Sequence, residues 1–144
     1  MKTSRLIVLI PTILILAAFA LSLTVATAAT GQKSDTGVVV PKYDPATEAT
    51  FKGTVEEIKD RQCPMSGGMG SHLILRLAPN QTIEVHLATT KFVKTYDLVF
   101  SKGDVVTVVG TKVQFEGVET IFAREVTRGD TTFTFRDKNG TPAW

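Results

Sequence analysis

The chain has 144 residues, 43% hydrophobic and 21% charged, with one cysteine and a formal charge of +2. Those fractions sit near globular averages and exclude a wholly disordered, collagen-like or disulfide-stapled chain, while the length holds one domain of ordinary size. Lys2 and Arg5 carry the whole excess, because without these two the 16 basic residues fall to 14 and match the 14 acidic ones.

Met1 to Arg5 form a basic start, Leu6 to Leu23 contain no charge, and Ala26-Thr27-Ala28-Ala29 is a run of small residues. A basic n-region, an apolar h-region and an A-x-A site predict a signal peptide over residues 1–28, cut after Ala28. The alternative is an uncleaved anchor, since the apolar run approaches the ~20 residues that span a bilayer. Either way Lys2 and Arg5 stay on the cytoplasmic side and the remainder is exported, periplasmic or secreted. The candidate cleavage site has no cysteine, so a lipid anchor is not indicated. Residues 29–48, with Pro41 and Pro45, read as a flexible linker, and 49–144 as the folded domain.

From Thr50 the pattern is mostly that of strands. Thr50 to Ile58 is the first, with Gly53 as a bulge or bend. Arg61 to Ser71, rich in glycine, reads as a loop without regular structure. His72–Leu77 and Thr82–Leu87 alternate around Ala78-Pro79-Asn80-Gln81, a hairpin connection. Phe92, Tyr96 and Phe100 have helical spacing within Ala88–Phe100, and Thr89 or Thr90 is placed to cap that helix before Gly103-Asp104 ends it. Val105–Phe115 and Val118–Thr127 follow as strands around Glu116-Gly117, and Thr131–Phe135 adds a short last one. A short helix between the third and fourth of five strands predicts an all-β fold with one short helix, a five-stranded OB-like Greek-key barrel plus a short C-terminal strand.

Three stretches carry a resemblance: Gly103-Asp104-Val-Val-Thr-Val-Val-Gly110, Ala123-Arg124-Glu125-Val126, and Arg136-Asp137-x-x-Gly140-x-Pro142-x-Trp144, joined by His72-Leu73 and Val85-His86-Leu87. Over residues 50 to 144 the chain resembles small exported bacterial proteins with an OB-like domain. That group brings no assigned activity and no catalytic residue.

The hairpin supplies the candidate site. With its loop centred on Asn80, Arg76 faces Glu84 and Ile74 faces His86. Leu73, Leu75, Leu77, Ile83, Val85 and Leu87 then share one apolar face, and His72, Arg76, Glu84 and His86 share the other, exposed one. On this reading His72 and His86 are diagonal neighbours and ligand donors, Arg76 contacts an anion, and Glu84 orients Arg76. The protein is then a non-enzymatic binding or accessory module of the cell envelope whose ligand or partner protein stays open. The alternative is a soft-metal carrier or chaperone. Cys63 has no partner for a disulfide and is left as a buried thiol, an intermolecular link or a metal ligand. Together with Met65, Met69, His72 and His86 it offers thiolate, thioether and imidazole donors that suit copper or zinc.

Other chemistries fit less well. Single-stranded nucleic-acid binding needs a basic groove with stacking aromatics, whereas Lys91, Lys94, Lys102 and Lys112 read as a solvated face. A hydrolase would need Ser66, Ser71 or Ser101 beside a histidine, and no G-x-S-x-G elbow is present. Asp104, Glu116 and Glu125 read as turn and surface carboxylates. The tail Arg136-Asp137 with Gly140-x-Pro142 reads as a turn folding the terminus back so that Trp144 covers an open end of the barrel.

Overall fold

The computed structural model describes Gln32–Lys33 and residues 39–144, so the predicted signal segment lies outside the described residues. Gln32–Lys33 pairs with Val39–Val40. The domain proper runs β1 (Glu48–Cys63), β2 (Gly68–Ala78), β3 (Gln81–Thr89), α1 (Thr90–Thr95), β4 (Val105–Phe115), β5 (Val118–Arg128) and β6 (Thr131–Thr134). The strands lie in the order β3-β2-β1-β4-β5-β6, and an added parallel pairing of β3 with β5 closes the first five into a ring. All other pairings within this sheet are antiparallel. The expected fold class, all-β with one short helix and a short last strand, is what the chain adopts.

Period-two alternation fills the ring. Leu73 and Leu75 from β2, Val85 and Leu87 from β3, Val106 and Val108 from β4, and Ile121 and Ala123 from β5 form one continuous core with Val55 of β1. The long strands bend through register shifts, one between Val55 and Glu57 and one between Val109 and Gly110. Such bulges let long strands curl round a closed sheet. The bulge expected at Gly53 falls instead between Val55 and Glu57, and Gly53 is a close approach: a side chain there would meet the Arg76 carbonyl and the Leu75 side chain on β2.

Two predicted elements change. The glycine-rich loop over 61–71 is mostly strand: β1 continues to Cys63, β2 starts at Gly68, and only a 3-10 turn, Pro64–Ser66, separates them. Gly67 at φ 64 closes that turn in the left-handed region, where glycine fits without strain. The other glycines permit pairing, with Gly68 opposite Cys63 and Gly70 opposite Arg61. The helix is shorter than its apolar spacing suggested, six residues capped by Thr89, whose hydroxyl accepts from the Phe92 amide at 3.2 Å. It ends at Tyr96 rather than at Gly103, because Asp97 turns to a positive φ of 50.

Candidate metal centre

The β2–β3 hairpin positions the site, but not in the expected register. Its turn is tight, with Ala78 paired to Gln81 and Asn80 in the left-handed region at φ 60. A shift between Arg76 and Ala78 then places Arg76 opposite Thr82, Ile74 opposite Glu84, and His72 directly opposite His86, and a second shift follows between Ser71 and His72. Asn tolerates that backbone conformation better than other side chains, so the sequence allows a two-residue turn where a wider loop was expected. The expected Arg76–Glu84 pair is therefore absent. Arg76 reaches Glu56 instead and lines a cleft with Gly53, Leu77 and Val105.

His72 and His86 do lie on the face away from the ring's core, as alternation requires, but that face is not exposed: both rings are 0% accessible. Three distant segments cover them. Cys63 ends β1 opposite the start of β2, and the Pro64–Ser66 turn folds its Met65 and Ser66 over the strands. The stretch before β1 lays Val40 and Tyr43 against Cys63, Phe115 and Phe122, forming a second small core. The C-terminal tail turns back, with the Asp137 carboxylate accepting from the Asn139 and Thr141 amides. It seats Trp144 5.8 Å from His86 and 6.4 Å from Phe92, ring centre to ring centre. The tail turn is as expected, but Trp144 covers a histidine.

Under this cover Cys63, His72 and His86 converge, with one ligand atom from each lying within 4.8 Å of the others and all three residues buried. The two imidazoles meet edge to face at 5.0 Å. A side chain on Gly70 would strike Ser66 Oγ at 2.6 Å, Cys63 Cβ at 2.9 Å and His72 Nε2 at 3.1 Å, which places His72 Nε2 on the Cys63 side and leaves no room for a larger residue unless these side chains shift. The other nitrogen, Nδ1, lies 2.7 Å from Glu84 Oε1. Glu84 is anchored in turn by Arg61 at 2.9 Å and Lys59 at 3.8 Å. Thus Glu84 orients His72 rather than Arg76.

Electrostatics follow from these neighbours. The His72 imidazole, and after it Arg61, hold Glu84 down to about 2 against the opposing pull of burial. Burial alone raises the Cys63 thiol and lowers His72. Their mutual proximity outweighs it, aided by Glu84 at His72 and by the nearby Met65 and Ser66 amides at Cys63, so the thiol lies below and the imidazole above its ordinary value. Burial, then the charge of His72, pushes His86 well below its ordinary value, so it is a neutral donor. Hydrogen bonding is incomplete. His86 Nε2 sits 3.0 Å from Ser66 Oγ, but its Nδ1 and both nitrogens of His72 lack a well-aligned partner, as does Thr120 Oγ1. Buried polar atoms are nearly always satisfied, so the unpartnered ring nitrogens beside the thiol are open to a water or to an ion.

Of the expected metal donors, the fold brings Cys63, His72 and His86 together. Met65 packs on the Cys63 cluster, whereas Met69 faces away from His72 and is 43% exposed. Among the serines weighed for hydrolysis, Ser66 does reach His86, but His86 Nδ1 has no carboxylate behind it. Ser71 is held by Asp60 and Thr90, and Asp104 caps the Ser101 amide.

Sequence reading missed Arg136. It is 2% exposed, donates from Nη1 to the Gly140 carbonyl at 3.0 Å, and leaves Nε and Nη2 without a partner. Three rings enclose it, Trp144 at 4.8 Å, Tyr43 at 5.2 Å and Phe122 at 5.9 Å. Burial lowers its pKa to about 10, which still leaves it charged at neutral pH. Arg136 looked like a turn residue because its neighbours are Asp137 and Gly140; no local pattern announces a buried cation.

Comparison with curated proteins finds no match to this chain. The family model of the MamS/MamX magnetosome proteins matches residues 47–133, from the turn before β1 into β6. That match spans well over half of the sequence and includes Cys63, His72 and His86, so the chain belongs to the MamS/MamX magnetosome protein family.

Proposed function

We propose that this protein is an exported, non-enzymatic accessory protein of the magnetosome that holds one soft or borderline metal ion, copper or zinc, through Cys63, His72 and His86. Family membership supports the magnetosome setting, and the N-terminal signal pattern supports export. The strand order and the place of the helix support an OB-like barrel as the scaffold.

One observation carries the metal reading: a thiol and two imidazoles, all buried, bring their donor atoms within 4.8 Å of one another, while His72 Nε2 and His86 Nδ1 have no hydrogen-bond partner. Metal–sulfur and metal–nitrogen bonds of about 2.0–2.3 Å put the ligands of a shared ion roughly 3.3–3.8 Å apart, so the site closes by about an ångström or less on binding. Glu84 against His72 Nδ1 repeats the carboxylate–histidine arrangement that fixes a ligand's tautomer and leaves Nε2 free to coordinate. Cys63, His72 and Glu84 also have the order of an activated-thiol array. Yet Cys63 is 1% exposed beneath the Pro64–Ser66 turn, which favours a ligand over a nucleophile that must meet a substrate.

The test is reconstitution of chelator-stripped protein with Zn(II) and, without oxygen, with Cu(I). One metal per chain is expected, with X-ray absorption reporting one sulfur and two nitrogen neighbours. Failure of both metals to bind, or binding unchanged in Cys63→Ala and His86→Ala, would overturn the reading. Export is checked separately by the N-terminus of the protein recovered from cell fractions.

A further inference from the structure

Resting on that metal site, we infer that its resident ion is monovalent copper, and that the buried guanidinium of Arg136 is the positioning residue that selects charge +1 over charge +2. Charge separates the two ions. At the partly exposed rim of the site the permanent groups pair off: Glu84 against Arg61 and Lys59, and the Arg61 guanidinium also against Glu116. Arg136 has no such partner among the described residues, since Glu48, joined to Tyr43, is held by Arg124 at 2.6 Å. Its cation is enclosed by rings and by one carbonyl.

His86 and Arg136 flank the same two rings. His86 lies 5.7 Å from Phe122 and 5.8 Å from Trp144, and Arg136 lies 5.9 Å and 4.8 Å from the same pair. A metal on His86 thus shares two ring neighbours with a fixed positive charge that already acts on the His86 imidazole, in a water-poor interior where charge–charge terms are less damped than in water. Against the single charge of the Cys63 thiolate, Cu(I) gives a neutral ligand set, whereas Zn(II) or Cu(II) leaves a net positive charge facing Arg136. Coordination number points the same way. Thiolate and imidazole suit Cu(I) and zinc alike, but the three donors Cys63, His72 and His86 complete a Cu(I) site, whereas zinc takes a fourth ligand, from the protein or from water.

The experiment is competition on the full folded chain. Cu(I) affinity is measured against a chromogenic Cu(I) chelator without oxygen, and Zn(II) affinity against a zinc indicator. The same pair is then measured for Arg136→Met and Arg136→Lys. The expected wild-type result is tighter Cu(I) than Zn(II) binding. Arg136→Met, which keeps the length and loses the charge, tightens Zn(II) relative to Cu(I) by about tenfold or more, as one buried charge predicts. Arg136→Lys retains the wild-type ratio, which a merely structural role in the tail would not produce. A ratio unchanged in Arg136→Met, or a wild type that prefers Zn(II), overturns the inference while leaving the metal site intact. A wild type that binds neither ion fails the site itself. Should Arg136→Met melt far below wild type, Trp144→Phe supplies the second variant: it keeps the charge and is expected to hold the ratio, and a shifted ratio there assigns selectivity to packing instead.

Discussion

The two faces of β2 and β3 differ in kind. Inside the ring, Leu73, Leu75, Val85 and Leu87 meet apolar residues from every other strand of the ring, with no polar atom to satisfy. Outside it, His72 and His86 are equally inaccessible, but their neighbours are Cys63, Glu84, Ser66, Trp144 and, behind the shared rings, Arg136. The inner face gains from burial alone. The outer face buries ring nitrogens whose hydrogen-bonding needs are not fully met, which costs stability unless something else satisfies them. The same depth of burial therefore marks a core on one side and a site on the other.

Substitutions separate the two faces, and the largest effect belongs to the outer one. Cys63→Ala should abolish high-affinity metal binding, read by metal content after gel filtration, and with it the rise in melting temperature that bound metal confers. Leu73→Ala, at a fully buried inner position, should cost about 2–5 kcal/mol in urea unfolding while leaving metal stoichiometry per folded molecule unchanged.

Gly70→Ala straddles both effects. Its methyl group would meet Ser66, Cys63 and His72, so it should cost about 1–3 kcal/mol by overpacking and weaken metal binding as well. Glu84→Gln removes the charge beside His72 Nδ1; affinity should fall about 10–100-fold, as for other residues that orient a metal's ligands, and competition titration reads the change.

The smallest effect lies at Glu48, away from the donor atoms. The Arg124 hydrogen bond, opposed by burial and joined by Tyr43, holds its carboxyl below the ordinary 4.5. The folded-state value is depressed, so the stability it contributes is present above the unfolded value and lost as pH falls through the folded one. The pair is partly exposed, and the contribution is about 1 kcal/mol or less. Denaturation midpoints of wild type and Glu48→Gln should differ at neutral pH and converge in acid; a gap that persists there would refute this account.

How much of this was legible beforehand follows from the range of each signal. Alternation in His72–Leu77 and Thr82–Leu87 put the leucines inward and both histidines on the opposite face. It could not place the register, because a tight turn with a left-handed Asn80 and a shift between Arg76 and Ala78 moved Arg76 from Glu84 to Thr82. The glycines of the 61–71 stretch suggested a loop. Two of them answer to the fold instead: Gly67 takes the left-handed turn, and Gly70 leaves room for His72, Cys63 and Ser66, which converge on it from the strand, the end of β1 and the turn.

The sequence by itself determined an all-β chain with one short helix, its inward residues, and the soft donors Cys63, His72 and His86, because those are set by residue type and local period. Only the tertiary structure decided that the outer face is covered, that Met69 and Arg76 stand apart from the donors, and that Arg136 lies behind them. Closing the ring brings the end of β1, the stretch before it and the C-terminal tail over one hairpin. Contacts between segments so far apart along the chain leave no mark on the spacing within any of them.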